Sequence, residues 1–235
     1  LDLRTDRCLD CGACHAVCPE CAIERHANGW VTDRDRCRAC GRCVGACPAG
    51  ARELSGTACT PDQLAAEIEK DAVFFEESCG GVTFSGGEPL MQPDFLEAML
   101  VRARSAGIHA AVDTCGYATR EVIDRIAPLA DLVLYDLKQI DDGQHRRATG
   151  VSNVPILENF ARLAASGVPL RVRFPLIPGV NDAASDVEAV ARFVSRHRVT
   201  HVDVLPYHRA GLAKYLRFGV PTSASEVVPP APDLV

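Results

Sequence analysis

A duplicated cysteine motif near the amino terminus constrains this chain more than any other feature. Nine of its twelve cysteines precede residue 48. Eight of them form two copies of one pattern, and each cysteine of the second copy lies 29 positions after its counterpart. The copies read Cys8-x2-Cys11-x2-Cys14-x3-Cys18-Pro19 and Cys37-x2-Cys40-x2-Cys43-x3-Cys47-Pro48. So many clustered thiols must serve disulfides, metal or redox chemistry.

The spacing of these eight cysteines is typical of a protein that holds two [4Fe-4S] clusters. Two-residue gaps let three consecutive thiolates bind one cubane, while the more distant cysteine before proline reaches the other cubane. The first cluster is therefore assigned to Cys8, Cys11, Cys14 and Cys47. The second is assigned to Cys18, Cys37, Cys40 and Cys43. Zinc knuckles or a disulfide framework are the alternatives, although neither needs this crossed spacing with a trailing proline.

Charge and hydropathy limit the cellular locations and the classes of binding partner that suit this chain. The 25 basic and 31 acidic side chains give a net charge of -6, which argues against a nucleic-acid-binding surface. The sequence has no secretory signal and no long apolar run. We therefore expect no membrane association, and we expect a cytoplasmic location, where thiolates stay reduced and bind metal.

Length and pattern divide the chain in two. Residues 1–55 are predicted to form a ferredoxin-like domain held by its metal. Residues 56–235 are long enough for an apolar core of their own. The predicted elements of this second part are helices 60–69, 93–106, 120–130, 156–166 and 184–197, and strands 82–85, 108–114, 132–137, 170–176 and 202–206. This alternation predicts an α/β fold with a parallel sheet, open or closed into a barrel. Because a helix comes first, we expect the first strand to be lost or to precede the cluster domain.

Polar residues follow each predicted strand, where the chemistry of such folds gathers. Ser85-Gly86-Gly87-Glu88 follows the first strand, and its two glycines would let a ligand approach the backbone while Glu88 accepts from an ammonium group. The later strands end near Asp113, Asp136-Leu137-Lys138, Arg173 and His208. Each alone could be an ordinary turn or a satisfied polar residue. Together they favour a polar ligand that spans the sheet edge.

These motifs resemble those of the glycyl-radical-enzyme activating enzymes of the radical S-adenosylmethionine superfamily. The resemblance is greatest to the pyruvate formate-lyase activase type with a two-cluster ferredoxin-like insert, and it covers nearly the whole chain. Besides the cysteines, it is carried by the segments 80–88, 113–117, 136–139, 149–153, 172–174, 178–179 and 205–208.

The resemblance implies a partial βα barrel of the radical S-adenosylmethionine type. It also implies that this cofactor is cleaved reductively to a 5'-deoxyadenosyl radical, which takes a hydrogen atom from a glycine of a partner glycyl radical enzyme. A third [4Fe-4S] cluster, with one open iron, would hold the cofactor, and flavodoxin or ferredoxin would be the reductant. The two clusters of the insert would relay electrons. The implied cofactor-binding residues are Ser85, Gly86, Gly87, Glu88, Asp113, Asp136, Leu137, Lys138, Arg173 and His208.

One family motif is missing from its usual place. The third cluster is normally held by Cys-x3-Cys-x2-Cys ahead of the insert, yet only seven residues precede Cys8. Together with a proline-rich end at 227–235, this leads us to expect a truncated chain whose full gene product is active although this chain alone is not. Cys14-x3-Cys18-x2-Cys21 fits the spacing, but it would take one ligand from each of the two other clusters. The alternative function is a non-catalytic electron carrier with a vestigial cofactor-binding barrel.

Overall fold

The computed structural model describes residues 2–27, 29–218 and 227–230. The chain forms two compact units. The first contains the residues up to Ala58 together with a segment that begins at His208, and the second contains Cys59–Tyr207. The division at residue 58 lies close to the predicted domain boundary. The return of the chain to the first unit at His208 differs from the prediction, which gave all residues after 55 to the barrel.

The first unit is a structural repeat that follows the sequence repeat. It has two antiparallel pairs of strands and two helices of four residues. The strands are β1 (Asp2–Leu3), β2 (Ile23–His26), β3 (Gly29–Thr32) and β4 (Arg52–Glu53), and the helices are α1 (Ala13–Ala16) and α2 (Arg42–Gly45). β1 pairs with β4 and β2 with β3. Each helix follows a glycine with positive φ, Gly12 at 74° and Gly41 at 77°, a conformation that other residues adopt only with strain.

The second unit is an α/β layer built on one parallel sheet of five strands. The sheet order follows the sequence order, β5 (Gly81–Phe84), β6 (His109–Thr114), β7 (Leu132–Asp136), β8 (Leu170–Leu176) and β9 (Val202–Pro206). The helices are α3 (Pro61–Ile68), α4 (Ala72–Ser78), α5 (Pro93–Ser105), α6 (Arg120–Ile126), α7 (Asp142–Thr149), α8 (Val154–Ser166) and α9 (Ala184–Arg196). The predicted fold class is confirmed. All neighbouring strands are parallel, so their carboxyl ends lie at one edge.

Apolar burial fixes the register of this sheet. The three central strands each contribute a fully buried valine, namely Val112, Val133 and Val172. Phe160 of α8 packs in the same core. Removing such side chains from water is the main favourable contribution to folding. α3 begins as predicted, because Thr60 forms a capping box in which its hydroxyl accepts from the Gln63 N–H and the Gln63 amide accepts from the Thr60 N–H.

Several element bounds differ from the prediction for local reasons. β8 and β9 have the predicted bounds, whereas α6 ends at Ile126 and a 3-10 turn follows, since Pro128 cannot continue the helical hydrogen bonds. α4 and α7 were not predicted. α7 has no apolar face, and it is held instead by polar contacts at its start: Asp141 caps the Gln144 N–H, and Asp142 accepts from Ser152 Oγ at 2.6 Å.

A final helix, α10 (Leu212–Phe218), belongs to the first unit. An ion pair between Arg217 and Glu53, 3.4 Å apart, helps to tie it there. Of the proline-rich segment expected to lack a helix, residues 227–230 are irregular and 231–235 lie outside the described residues. Among the described residues no helix is both long enough and apolar enough to span a membrane.

Candidate functional site

The first unit brings together four of the predicted cluster ligands from both copies of the motif. One cavity is lined by Cys18 of the first copy and by Cys37, Cys40 and Cys43 of the second. This is the set that the crossed spacing predicted for the second cluster. Cys14 and Cys43, the third cysteines of the two copies, are buried together with Ile23 in a small core. All twelve cysteines, each in the described part of the chain, are free thiols.

Backbone amides support the last cysteine of each copy. The Ala22 N–H donates to Cys18 Sγ at 3.3 Å, and the Ala51 N–H donates to Cys47 Sγ at 3.2 Å, in the same place of the repeat. Burial opposes ionisation of Cys47, but the backbone N–H groups of Ala51, Ala49 and Arg52 outweigh it, so the pKa of the thiol lies below its usual value. A ligand to iron must be a thiolate, and the surroundings of Cys47 favour that form, whereas burial raises the pKa of the Cys43 thiol.

The cysteines of the described chain do not converge on one point. No three His, Cys, Asp or Glu side chains among these residues form a group that could hold a single metal ion. A structural zinc site needs four ligands at about 2.0 to 2.3 Å from one ion. The thiolates of a cubane bind separate irons and therefore stand further apart. The four sulfurs around the cavity fit a cluster better than they fit a single ion.

The second unit carries a polar network at the carboxyl ends of its strands. The Asp113 carboxylate at the end of β6 accepts from Ser85 Oγ at 3.0 Å and from Arg173 Nη1 at 2.7 Å. Ser85 follows β5, and Arg173 lies on β8. Three of the predicted residues, which are far apart in sequence, are thus joined by two hydrogen bonds.

Asp136 and Arg173 keep unused hydrogen-bonding capacity at this edge. Asp136 Oδ1 and Arg173 Nε lie 3.3 Å apart but are not aligned for a hydrogen bond, and both atoms are buried without any other partner. Burial raises the pKa of the Asp136 carboxyl above its usual range, although Arg173 and Lys138 oppose the shift. Buried polar atoms are nearly always paired in native proteins, so a bound polar ligand would complete this site.

Glu88 fixes the loop that follows β5. Its carboxylate accepts from Thr114 Oγ1 at 2.6 Å, from the Cys115 N–H at 2.9 Å and from the Leu90 N–H at 3.2 Å. Burial, together with a hydrogen bond to Glu88, raises the pKa of the Cys115 thiol to about 11. In this structure Glu88 therefore joins the ends of β5 and β6, and its predicted contact with an ammonium group stays a prediction.

The two adjacent glycines leave space above the sheet edge. Gly86 has a φ of 130°, which favours glycine, and a Cβ at Gly86 or Gly87 would meet no atom within 4 Å. Packing within the protein therefore does not require a glycine at Gly87, where φ is ordinary. The open backbone at this point matches the close approach of a ligand that the motif predicted.

The remaining predicted residues are Leu137, Lys138 and His208. Leu137 is buried in the hydrophobic core, so its side chain serves packing. Lys138 is half-buried, and its backbone carbonyl accepts from Asn181 Nδ2 at 2.8 Å. His208 is exposed and is the first residue of the segment that belongs to the first unit, so its cofactor contact stays a prediction.

Three buried asparagines brace the loops of the site, a role that the sequence motifs did not indicate. Asn159 donates to the Gly116 and Ala118 carbonyls after β6, both at 2.9 Å. Asn153 donates to the Gln139 and Ile140 carbonyls after β7. Asn181 donates to the carbonyls of Lys138 and Pro175 and accepts from the Ile177 N–H. Asparagine in a turn or near the start of a helix was the available signal, but it does not reveal burial.

Comparison with known proteins gives a consistent result. Residues 11–194 match the model of the radical SAM superfamily, and this range includes Cys14, Cys18 and Cys21. The trans-4-hydroxy-L-proline dehydratase activating enzyme of Clostridioides difficile is 46% identical over 89% of this chain and 70% of its own length. The isethionate sulfite-lyase activating enzyme of Nitratidesulfovibrio vulgaris is 42% identical over 92% of this chain and 72% of its own.

A solved structure agrees with these relatives. A domain of a pyruvate-formate lyase-activating enzyme from Bacteroides vulgatus has a TM-score of 0.55 and 34% identity, covering 66% of this chain and 88% of that one. The two sequence relatives are named for a dehydratase and a sulfite-lyase rather than for pyruvate formate-lyase, so the comparisons identify the family and not the pyruvate formate-lyase subtype. A radical SAM protein uses a [4Fe-4S] cluster and S-adenosylmethionine. The chain belongs to the glycyl-radical-enzyme activating enzymes of the radical S-adenosylmethionine superfamily.

Proposed function

We propose that the strand-end network of the second unit binds S-adenosylmethionine during activation of a glycyl radical enzyme. The observation that carries this proposal is the pair of buried, unsatisfied atoms at Asp136 and Arg173, beside an open double-glycine backbone. When bound to a reduced [4Fe-4S] cluster, S-adenosylmethionine supplies a 5'-deoxyadenosyl radical that removes a hydrogen atom from the partner's glycine. The chain's own residues bind and orient the cofactor.

Each residue of the network has a separate task in this proposal. Arg173 holds Asp113 by a charge-assisted hydrogen bond, and Ser85 fixes the other side of the same carboxylate. Asp136 then offers a buried acceptor to a hydroxyl or ammonium group of the cofactor. The backbone at Gly86 and Gly87 lets the methionine end approach, and Glu88 keeps that loop in place through Thr114 and Leu90. Lys138 and His208 complete the predicted set.

A binding experiment tests this assignment. Arg173→Met removes the pairing of Asp113 and Asp136, and we expect it to weaken S-adenosylmethionine binding at least about tenfold in equilibrium dialysis, without changing iron content. Arg171→Met is the matched control, because Arg171 lies two residues earlier on the same strand but pairs with Asp203 instead. Equal affinities for the two variants would contradict the proposed site. Lys138→Ala and His208→Ala test the remaining residues in the same way.

We further propose that the first unit holds two [4Fe-4S] clusters, with Cys8, Cys11, Cys14 and Cys47 on one and Cys18, Cys37, Cys40 and Cys43 on the other. The cavity shared by Cys18 and the second copy supports the crossed arrangement. The clusters would carry electrons from flavodoxin or ferredoxin toward the cofactor. Anaerobic reconstitution followed by iron analysis should give about eight irons for these two clusters, and about twelve if a third is held as well.

The role of Cys21 distinguishes two possible assignments of Cys14 and Cys18 to iron-sulfur clusters. In our proposal it is not a ligand of either cluster, because it aligns with Gly50 in the repeat and lies outside the set of eight paired cysteines. If Cys14, Cys18 and Cys21 instead hold the cofactor-binding cluster, Cys21→Ser must abolish S-adenosylmethionine cleavage and remove iron. Under our assignment Cys21→Ser leaves the eight irons unchanged, whereas Cys18→Ser lowers them.

For the partner, we propose a glycyl radical enzyme that performs an elimination, because the relatives at 46% and 42% identity are named for a dehydratase and a sulfite-lyase. The test is glycyl radical formation by the full gene product, measured by electron paramagnetic resonance, with a hydroxyproline dehydratase, an isethionate sulfite-lyase and a pyruvate formate-lyase in parallel. Activation of pyruvate formate-lyase alone would refute this choice. Failure with all three but formation of 5'-deoxyadenosine would leave the reaction intact and exclude these partners. The alternative, a non-catalytic electron carrier with a vestigial cofactor-binding barrel, predicts no formation of 5'-deoxyadenosine.

A further inference from the structure

The two copies of the cysteine motif differ in the residues that lie between their ligands. Arg38 and Arg42 stand 29 positions after Leu9 and Ala13, so the second copy has two arginines where the first has two apolar residues. Both copies nevertheless fold in the same way, with a glycine of positive φ followed by a helix of four residues. Since the first copy reaches this fold without arginines, folding does not explain their presence in the second.

Both arginines lie at the cavity of the second cluster. They line it together with the four cysteines assigned to that cluster, Cys18, Cys37, Cys40 and Cys43. No cysteine assigned to the first cluster lines this cavity, although all four are in the described part of the chain. Cys40 is itself exposed, so a partner at the surface can come close to this cluster. The geometry therefore assigns Arg38 and Arg42 to one cluster.

The positive charge at the rim of this cavity is only partly balanced. The side chain of Arg38 is 78% exposed, and the carboxylate of Glu20, which also lines the cavity, lies 3.4 Å from its Nε. Arg42 is exposed, and its side chain has no hydrogen bond or ion pair with the residues that the structure describes. Arg36, by contrast, is held by two carboxylates. Exposed ion pairs are weak, so both rim guanidinium groups are available to an anionic partner.

The distribution of charge along the chain favours an acidic partner at the first unit. Residues 1–58 contain eight arginines, no lysine and eight acidic residues, so the net charge of -6 lies entirely on the residues that follow. An acidic protein is repelled by surfaces of its own sign and attracted by clustered positive charge. The arginine rim is therefore better suited to such a partner than the acidic second unit is.

We propose that Arg38 and Arg42 form the docking surface for the reductant, a small one-electron carrier protein whose surface around its own redox centre is acidic. This inference rests on the proposed two-cluster function of the first unit. In the transfer step the carrier loses one electron and the second cluster gains it, so no bond breaks and no proton moves. Encounters between redox proteins bury little surface, and charges at the rim of an interface mainly set the association rate. The other half, with an exposed Leu9 at the equivalent place, lacks this charge.

Stopped-flow reduction of the reconstituted protein by an acidic flavodoxin, supplied in its fully reduced form, tests the proposal. Arg38→Gln combined with Arg42→Gln removes both charges, and we expect it to lower the second-order rate constant about tenfold at low ionic strength. The difference should disappear at about 1 M salt, where the screening length falls to about 3 Å. Arg38→Lys combined with Arg42→Lys should keep most of the wild-type rate. The matched control is Arg4→Gln with Arg25→Gln, which removes two arginines that pair with acidic residues of the first copy.

Photoreduced deazariboflavin, a small uncharged reductant, shows whether the arginines act through docking. We expect it to reduce all variants with full iron at the same rate, and slower reduction of the double glutamine variant would overturn the proposal. An unchanged rate with flavodoxin in that variant would also overturn it, as would an equal loss in the control. The same holds if the wild-type protein accepts electrons from deazariboflavin but not from the flavodoxin.

Iron content separates a docking defect from a folding defect. If the double glutamine variant loses iron, Arg38→Gln and Arg42→Gln are measured singly, and each should show a smaller loss of rate that salt removes. Full rates in both single variants would overturn the proposal. Fewer than about eight irons in the wild-type protein would instead refute the two-cluster function itself.

Discussion

Gly116 offers the sharpest test of the packing next to the proposed cofactor site. It follows β6 with a φ of 71°, and a Cβ built on it would lie 1.8 Å from Tyr135 Oη and 2.3 Å from Tyr135 Cζ. Tyr135 is fully buried, and its hydroxyl donates to the Ile156 carbonyl at 2.6 Å. Replacing Gly116 by alanine must therefore displace a buried ring and break its hydrogen bond.

The expected loss of stability has three parts. A left-handed conformation costs a non-glycine residue about 1 kcal/mol or somewhat more. Overpacking of a core costs about 1 to 3 kcal/mol. A buried polar group left without its partner costs about 1 to 3 kcal/mol. We therefore expect Gly116→Ala to lower the free energy of unfolding by about 3 to 7 kcal/mol, a large fraction of the 5 to 15 kcal/mol of a typical domain.

Urea unfolding followed by far-ultraviolet circular dichroism measures this loss in the second unit. Trp30, the one tryptophan of the chain, reports separately on the first unit by fluorescence. The matched control is Gly167→Ala: Gly167 has a φ of 82° but open space around its Cβ position, so only the conformational cost of about 1 kcal/mol applies. Similar losses for the two variants would refute the clash, and addition of Tyr135→Phe to Gly116→Ala should recover part of the stability.

Three other predictions concern separate parts of the second unit. Thr60→Ala should lower its stability by about 1 kcal/mol in urea unfolding, because the capping box of α3 is lost; an unchanged midpoint would show that the cap contributes nothing. Asn181→Ala should cost about 2 to 4 kcal/mol and speed amide exchange around Lys138, since this buried side chain loses three hydrogen bonds; exchange confined to other loops would contradict this role. Because the pKa of Cys115 is about 11, its alkylation rate should rise about tenfold per pH unit from pH 8 to 10, whereas in the urea-unfolded chain the rate at the same cysteine should level off near pH 9. A plateau in the folded protein at that pH would show that Cys115 is not held by Glu88 and burial.

The sequence was sufficient for the parts of the structure that follow local rules. The capping box at Thr60, the apolar strands and the period of the cysteine motif depend on residues near one another. They predicted the α/β fold with a parallel sheet, the positions of the strands along the chain and the polar residues at their ends. The sequence could predict only that Ser85, Asp113 and Arg173 lie at the same strand ends. It could not predict their hydrogen bonds, because the packing of distant strands decides which side chains pair.

Other features depend on tertiary contacts that leave little trace in a single sequence. α7 is a polar helix that is stable through Asp142 and Ser152, which an apolar period does not reveal. The segment from His208 returns to the first unit through contacts such as that of Arg217 with Glu53, which is 164 positions away.

The three buried asparagines have a consequence for how such a protein can change over time. Asn153, Asn159 and Asn181 hold their loops mainly through main-chain carbonyls. Every amino acid carries a carbonyl, so substitutions in the held loops do not remove the acceptors. A lineage could therefore exchange the exposed side chains of these loops, and with them the surface offered to a new partner, while the path of the backbone stays the same. In this architecture the side chains that recognise a partner can therefore vary while the backbone of the loops stays constant.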